Sequence, residues 1–345
     1  MKKKNIINLI KYHSEENEVG FRAEAYEIAK AFDAAGDYQL AEYIVALMSN
    51  SNTFVPQMDD MHSSFFEKVD VGNEPLPLPT AIEQDLIGVM NAIVRNMGIN
   101  KFLFQGAPGT GKTETAKNIA KILARELYVV NFHSIVDSKL GQTQKNIVSL
   151  FKEINSFAHP TNVIILFDEI DALALDRTSQ NDLREMGRAT STILKEMERV
   201  DERVVIIATT NLFKYFDKAF IRRFDSVIDF NKYSRNDLLE ISEILLNNTL
   251  SKYKHTGRNM RLFRKIISLM NTIPYPGELK NIIRTVVAFS NPDDEYDYLK
   301  RLYYIANGER TADINELYDQ GFTIREIEIL TGISKSQVAR DLKES

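Results

Sequence analysis

Apolar residues recur along this chain in two rhythms. In the first 50 residues, Ile6, Leu9 and Ile10 form one set, and Phe21, Ala25, Ile28, Ala29 and Phe32 a second. Leu40, Ile44, Val45 and Met48 form a third. Their spacing is that of one helix face, and Gly36-Asp37 punctuates the runs. The pattern predicts a small helical domain over 1–50. From 80 to 232 short apolar runs alternate with helical segments, which predicts a parallel α/β sheet. Its strands are read at Phe102–Gln105, Leu127–Phe132, Val163–Phe167, Val204–Thr209 and Ser226–Phe230. The helical rhythm returns over 233–308, with Leu238, Leu239, Ile241 and Ile244, then Leu279, Ile282, Ile283 and Val287. Between the first two regions, 51–79 reads as a linker. It opens after Ser49-Asn50 and closes on Pro75, Pro77 and Pro79, which block helix. A last small unit occupies 309–345.

Composition narrows the function classes. The 345 residues are 44% hydrophobic and 26% charged, ordinary for a globular chain. The net charge of −5 disfavours bulk attraction to nucleic acid or an acidic membrane. There is no cysteine, which excludes disulfides and thiolate metal sites, and five scattered histidines make a His-based metal site an unattractive reading. No apolar run of about 18 residues and no signal-peptide pattern is present, so the expectation is a cytoplasmic protein without a membrane partner.

The candidate chemistry begins at Gly106-Ala107-Pro108-Gly109-Thr110-Gly111-Lys112-Thr113, followed by Glu114. It follows a predicted strand and opens a predicted helix, the context a phosphate-binding loop requires. The glycines let backbone N–H groups turn inward toward a polyphosphate, and the helix N-terminus adds positive potential. Lys112 would reach the outer phosphates of ATP and Thr113 would hold Mg²⁺. The strand Val163–Phe167 ends in Asp168-Glu169, at the strand end where open α/β sheets bind ligands. Asp168 would join Thr113 at the metal, and Glu169 would polarise the attacking water as general base. Asp171 reads as a capping or surface residue. Asn211 ends the strand-like run Val204 to Thr210 and suits a polar contact to the γ-phosphate or the water. Arg222 and Arg223 stand just before the last strand, and their catalytic use would require a neighbouring subunit.

In this order the four motifs resemble the AAA branch of the AAA+ ATPases, with an A-T-T-N sensor and an R-R-F-D arginine element, over roughly residues 80–290. The resemblance implies an AAA+ P-loop NTPase core with a helical lid, assembled as a homo-oligomer, a hexamer by the family's usual pattern. It makes Lys112 and Thr113 Walker A residues, Asp168 and Glu169 Walker B residues, Asn211 sensor 1, and Arg222 and Arg223 arginine fingers. Gly277, in Pro276-Gly277-Glu278, takes the place of a small residue near the adenine; no sensor 2 arginine stands out, and Lys280 is the candidate substitute. Lys139, Leu140 and Gly141 align with the pore loop, but Lys139 replaces the aromatic that protein-threading members carry. The runs Asn100 to Gly106, Asp137 to Thr143 and Asp182 to Arg188 further resemble bacterial defence-type AAA ATPases paired with a subtilisin-like serine protease. That implies a protease partner.

The last unit carries a second signature. Thr323 with Glu326 makes a capping box, Gly332 a turn, and Ser334 a further cap. Ile324, Ile327, Leu330, Ile333, Val338 and Leu342 would share a small core. The stretch resembles a helix-turn-helix whose second helix would offer Lys335, Ser336, Gln337 and Arg340 to DNA. The leading expectation is thus a Mg-dependent ATPase ring that regulates a partner protein, with DNA sensing through its C-terminal unit. A DNA-remodelling ATPase of transposition type and a protein unfoldase or chaperone are the alternatives.

Overall fold

The computed structural model describes residues 3–15, 17–33, 35–48, 63–70, 76–136, 141–173, 180–216, 218–253, 257–308, 310 and 312–344, with backbone alone at 3, 18, 42, 46, 172, 173, 180–188 and 215. The chain divides into two compact units, residues 1–63 and 64–345. The first holds three helices, α1 (Lys3–Ser14), α2 (Glu18–Asp33) and α3 (Tyr38–Met48). Their shared core is small, with Ala25, Ile28, Ala29 and Ala41 buried. Gly20 is there because the Tyr12 ring lies against it: a Cβ at that position would meet the ring at 2.8 Å.

The second unit is built on a six-stranded sheet of order β1-β3-β4-β5-β2-β6. Its strands are β1 (Phe66–Val69), β2 (Lys101–Gln105), β3 (Glu126–Val130), β4 (Val163–Phe167), β5 (Val205–Thr210) and β6 (Ser226–Asp229). All neighbours pair parallel except β1, which pairs antiparallel with β3 at the edge. β1 falls inside the stretch whose prolines suggested a linker. Phe66 is buried there, its ring 5.4 Å from Tyr128 and 5.6 Å from Phe157.

Every residue of β4 and β5 is buried, because helices cover both faces of a parallel sheet. One face packs against α4 (Thr80–Val94) and α5 (Lys112–Ile122). The other packs against α6 (Phe132–Ile135), α7 (Gln142–Ile154) and α8 (Gln180–Met197), with α9 (Lys218–Ile221) below. Truncating a fully buried strand side chain such as Ile165→Ala would cost about 2–5 kcal/mol.

After β6 the chain becomes helical: α10 (Arg235–Leu250), α11 (Met260–Leu269), α12 (Pro276–Ala288) and α13 (Asp297–Ala306). Ser234 and Asp237 close a capping box that starts α10. Three more helices follow, α14 (Ile314–Asp319), α15 (Ile324–Thr331) and α16 (Lys335–Glu344). The apolar core of α10–α13 runs on without a break through Leu317, Phe322, Ile327, Leu330 and Val338. Polar bonds reinforce the join. Lys265 on α11 donates to Glu326 (2.9 Å) and to the Gly321 carbonyl (2.5 Å), and Tyr303 on α13 donates to Gln320 (3.0 Å).

Candidate nucleotide site

The loop between β2 and α5 is bent by three glycines at positive φ: Gly106 (+155°), Gly109 (+78°) and Gly111 (+92°). Gly111 caps α5 in the left-handed region, so Lys112 begins the helix and its side chain returns under the loop. There its ammonium donates to the carbonyls of Gly106 (2.7 Å) and Ala107 (2.9 Å) and to Asn211 Oδ1 (2.8 Å). Lys112 is buried, and burial holds its ammonium below its ordinary pKa. The charges of Asp168, Asp171 and Glu169 oppose that shift.

Register explains the carboxylate side. Phe167 on β4 pairs with Ala208 on β5, so the next residues, Asp168 and Thr209, meet at the ends of adjacent strands. Asp168 Oδ1 accepts from Thr113 Oγ1 (2.8 Å) and from Thr209 Oγ1 (2.7 Å). Thr209 Oγ1 in turn accepts from the Glu169 N–H (2.8 Å). Glu169 has φ +53°, a conformation that costs a non-glycine residue of order 1–3 kcal/mol and clusters at functional sites. Asn211 Nδ2 faces Glu169 Oε1 at 3.4 Å, so this one amide spans the loop lysine and the carboxylate. The oxygens of Thr113 and Asp168 are hard donors set side by side, which suits Mg²⁺ completed by phosphate and water.

Lys112, Thr113, Glu114, Glu169, Thr209, Asn211, Gly109, Gly277 and neighbours line one cavity of about 240 Å³. Lys280 is not among its lining residues. Gly277, at the start of α12, donates its N–H to the Gly109 carbonyl (2.8 Å). A Cβ at Gly277 would sit 2.9 Å from Gly109 Cα, so only glycine allows this approach.

Arg222 and Arg223 do not line this cavity. Both are exposed beyond α9. Arg223 is ion-paired with Glu198. Asp225 accepts from the N–H groups of Asn100 and Lys101, each at 2.9 Å, and fixes the turn to the sheet. The Arg222 side chain meets no partner among the described residues.

Several residues were missed by sequence reasoning. Asp171, read as a capping or surface residue, is buried, and it accepts from the Asn211 N–H (3.3 Å) at the end of β5. Thr209 stood in the A-T-T-N run, but its role needed the β4–β5 register. Asn231 accepts from the Ala107 N–H (2.9 Å), and Tyr233 donates to the Thr110 carbonyl (2.9 Å). No local signal pointed to either.

Lys139 and Leu140 lie outside the described residues; Gly141 sits at φ +76° and caps α7. Asp182 to Arg188 fall in α8. In the C-terminal helices the Thr323–Glu326 capping box forms and Gly332 ends α15 at φ +76°. Ile324, expected in the core, is 38% exposed, because it is the first residue of α15 and turns outward while Ile327 and Leu330 face in. Lys335, Ser336, Gln337 and Arg340 are all exposed on α16. Two of them meet nearby acids: Lys335 lies 3.9 Å from Glu328, and Gln337 donates to Asp341 (2.7 Å). From Asp313 to Glu344 seven acidic residues face four basic ones.

Residues 102–232 match the model of the ATPase family associated with various cellular activities (AAA). An uncharacterised AAA family ATPase of Sinorhizobium fredii is 35% identical over 39% of this chain and 39% of its own length. CD-NTase-associated protein 6 of Pseudomonas aeruginosa is 28% identical over 45% of this chain and 56% of its own length. The matches thus span less than two thirds of these relatives' own length. The FIGL-1 AAA domain in complex with ADP superposes with a TM-score of 0.53 at 17% identity, covering 74% of this chain and 91% of that one. A chain of the E. coli HORMA:CdnC:Trip13 complex does so with a TM-score of 0.53 at 18% identity, covering 65% and 88%. The chain therefore carries an AAA ATPase domain with the AAA fold. Among the described residues no helix is long and apolar enough to cross a membrane.

Proposed function

We propose that this protein binds and hydrolyses ATP as a ring of identical copies and uses the turnover to remodel or regulate a protein partner in a bacterial defence-type system. The observation that carries the reading is the shared carboxylate. Asp168 accepts from Thr113 and Thr209 at once, while Asn211 joins Lys112 to Glu169. Thr113 and Asp168 would hold Mg²⁺, which on binding neutralises charge on the phosphates.

The residues divide the work. Backbone N–H groups of Gly109 to Thr113 cradle phosphate, and Lys112 exchanges its loop carbonyls for phosphate oxygens. Glu169 takes a proton from water as general base, and Asn211 orients that water. Arg222 is free to reach the next subunit's phosphates. Arg223 is held by Glu198 in its own chain, which makes it the positioning member of the pair.

A protein target is favoured over DNA by the acids that surround the α16 contacts and by the relatives. One is named for association with a CD-NTase, and another is described in a complex with other proteins. A subtilisin-like serine protease is the partner class that the sequence resemblance suggests. The test is ATPase rate against protein concentration, with and without duplex DNA, for the full chain. Turnover that rises cooperatively with concentration and ignores DNA supports the reading. DNA-stimulated turnover overturns the protein target, and no turnover at any concentration overturns the enzyme.

A further inference from the structure

Tyr233 lies between β6 and α10, where the sheet-based core ends and the helical lid begins. Its ring packs against both apolar cores: the one around Phe104, Ile228 and Phe230, and the one around α10–α13. Its hydroxyl donates to the Thr110 carbonyl in the phosphate loop (2.9 Å), and burial pushes its pKa up, so it stays a donor at physiological pH. The ring also meets Tyr275 edge-on, with centroids 5.5 Å apart. Tyr275 is the residue before α12, whose Gly277 N–H binds the adjacent loop carbonyl, that of Gly109. Two consecutive carbonyls of the phosphate loop are therefore tied to the hinge and to the lid.

We infer that Tyr233 is a positioning residue that couples the shape of the phosphate loop to the position of the lid. The inference rests on the nucleotide reading above. When phosphate reshapes the loop, the Thr110 carbonyl turns and pulls on Tyr233. The Tyr233–Tyr275 contact carries that motion into α12. Because the lid core is continuous with Leu317 to Val338, α14–α16 move with it. A partner held on those helices would feel the nucleotide state without touching the site.

Tyr233→Phe keeps the ring and removes the bond, so it separates coupling from packing. The chain has no native cysteine. Met97→Cys and Phe289→Cys, 64% and 69% exposed on core and lid, give two dye positions for energy transfer, read in an excess of unlabelled protein. The full chain with and without Tyr233→Phe is titrated with a fluorescent ATP analogue, and energy transfer and kcat are recorded. The expected result is affinity within about threefold of the parent, kcat lowered about fivefold to tenfold, as for one lost hydrogen bond, and an ATP-driven energy-transfer change cut by at least half. Gly277→Ala, whose Cβ meets backbone, should reproduce the loss more strongly. A parent that binds no ATP analogue sinks the nucleotide reading and this inference together. A parent that binds without lid motion overturns the coupling alone. So does Tyr233→Phe with parental kcat and lid motion, or with a loss confined to affinity.

Discussion

The phosphate cavity and the C-terminal helices both gather polar residues at helix starts, yet they use them in opposite ways. Around the cavity, Lys112 at the start of α5, Asp168 and Glu169 just after β4, and Asn211 just after β5 share one network. Each is hydrogen-bonded to a neighbour in the same network, and the left-handed Glu169 backbone adds strain. On α16, Lys335 and Gln337 are satisfied by Glu328 and Asp341, within the same three helices and exposed to solvent. Around the cavity the groups converge from segments far apart in sequence on one buried lysine, whereas on α16 the pairing is local and in water, the pattern of an ordinary surface. Glu326, buried among the C-terminal helices, joins them to the lid through Lys265.

Perturbations should separate the two regions by size of effect. Arg222→Ala should lower turnover about a thousandfold, the scale of a trans-acting arginine. Arg223→Ala should cost less, because that side chain already has a partner in its own chain; steady-state ATPase assays of both proteins rank them. Glu169→Gln should retain ATP, trap the assembled ring and lower kcat about a hundredfold or more, measurable by single-turnover kinetics and sedimentation. Normal hydrolysis by this variant would remove Glu169 from the role of base. At the other end of the scale, Lys335→Ala with Arg340→Ala should leave turnover unchanged in the presence and absence of duplex DNA. A loss of DNA stimulation in that variant would restore α16 as a nucleic-acid surface.

A separate effect, on stability rather than turnover, concerns Glu326 and pH. Burial works to raise its pKa, but the Thr323 N–H and Lys265 outweigh burial and hold the carboxyl below its ordinary value. A carboxylate depressed in the folded state stabilises above its unfolded pKa. That contribution is lost as pH falls through the folded value. Thermal melts in the acid range should show the C-terminal helices loosening, and Glu326→Gln should flatten the dependence at a cost of about 1–3 kcal/mol near neutrality.

Much of the site was legible in the sequence because its parts are short contiguous runs. The loop from Gly106 to Thr113, the Asp168-Glu169 pair and Asn211 each follow an apolar strand, and a strand end tells where a side chain arrives. Thr209 and Asp171 were not legible in their roles, since those depend on which strands lie side by side. Asn231 and Tyr233 reach the loop from more than a hundred positions away, with no motif around them. The Arg223–Glu198 ion pair was hidden for the same reason: Glu198 lies just past α8, 25 positions earlier. The union of lid and C-terminal helices depends on pairs such as Lys265 and Glu326, separated by 61 positions. Periodicity could place Ile327 and Leu330 on an inward face, but not say which neighbour they face. It put Ile324 there too, one turn too early.

The central claim is a ring in which one copy's Arg222 completes the site of the next. Mixing Lys112→Ala protein, which keeps its arginine but cannot bind phosphate, with Arg222→Ala protein, which binds ATP but lacks the arginine, tests it most directly. The account predicts that two inactive preparations regain ATP turnover on mixing, with a maximum at intermediate ratios. Absence of turnover at every ratio, with both variants folded and co-assembled, would contradict it.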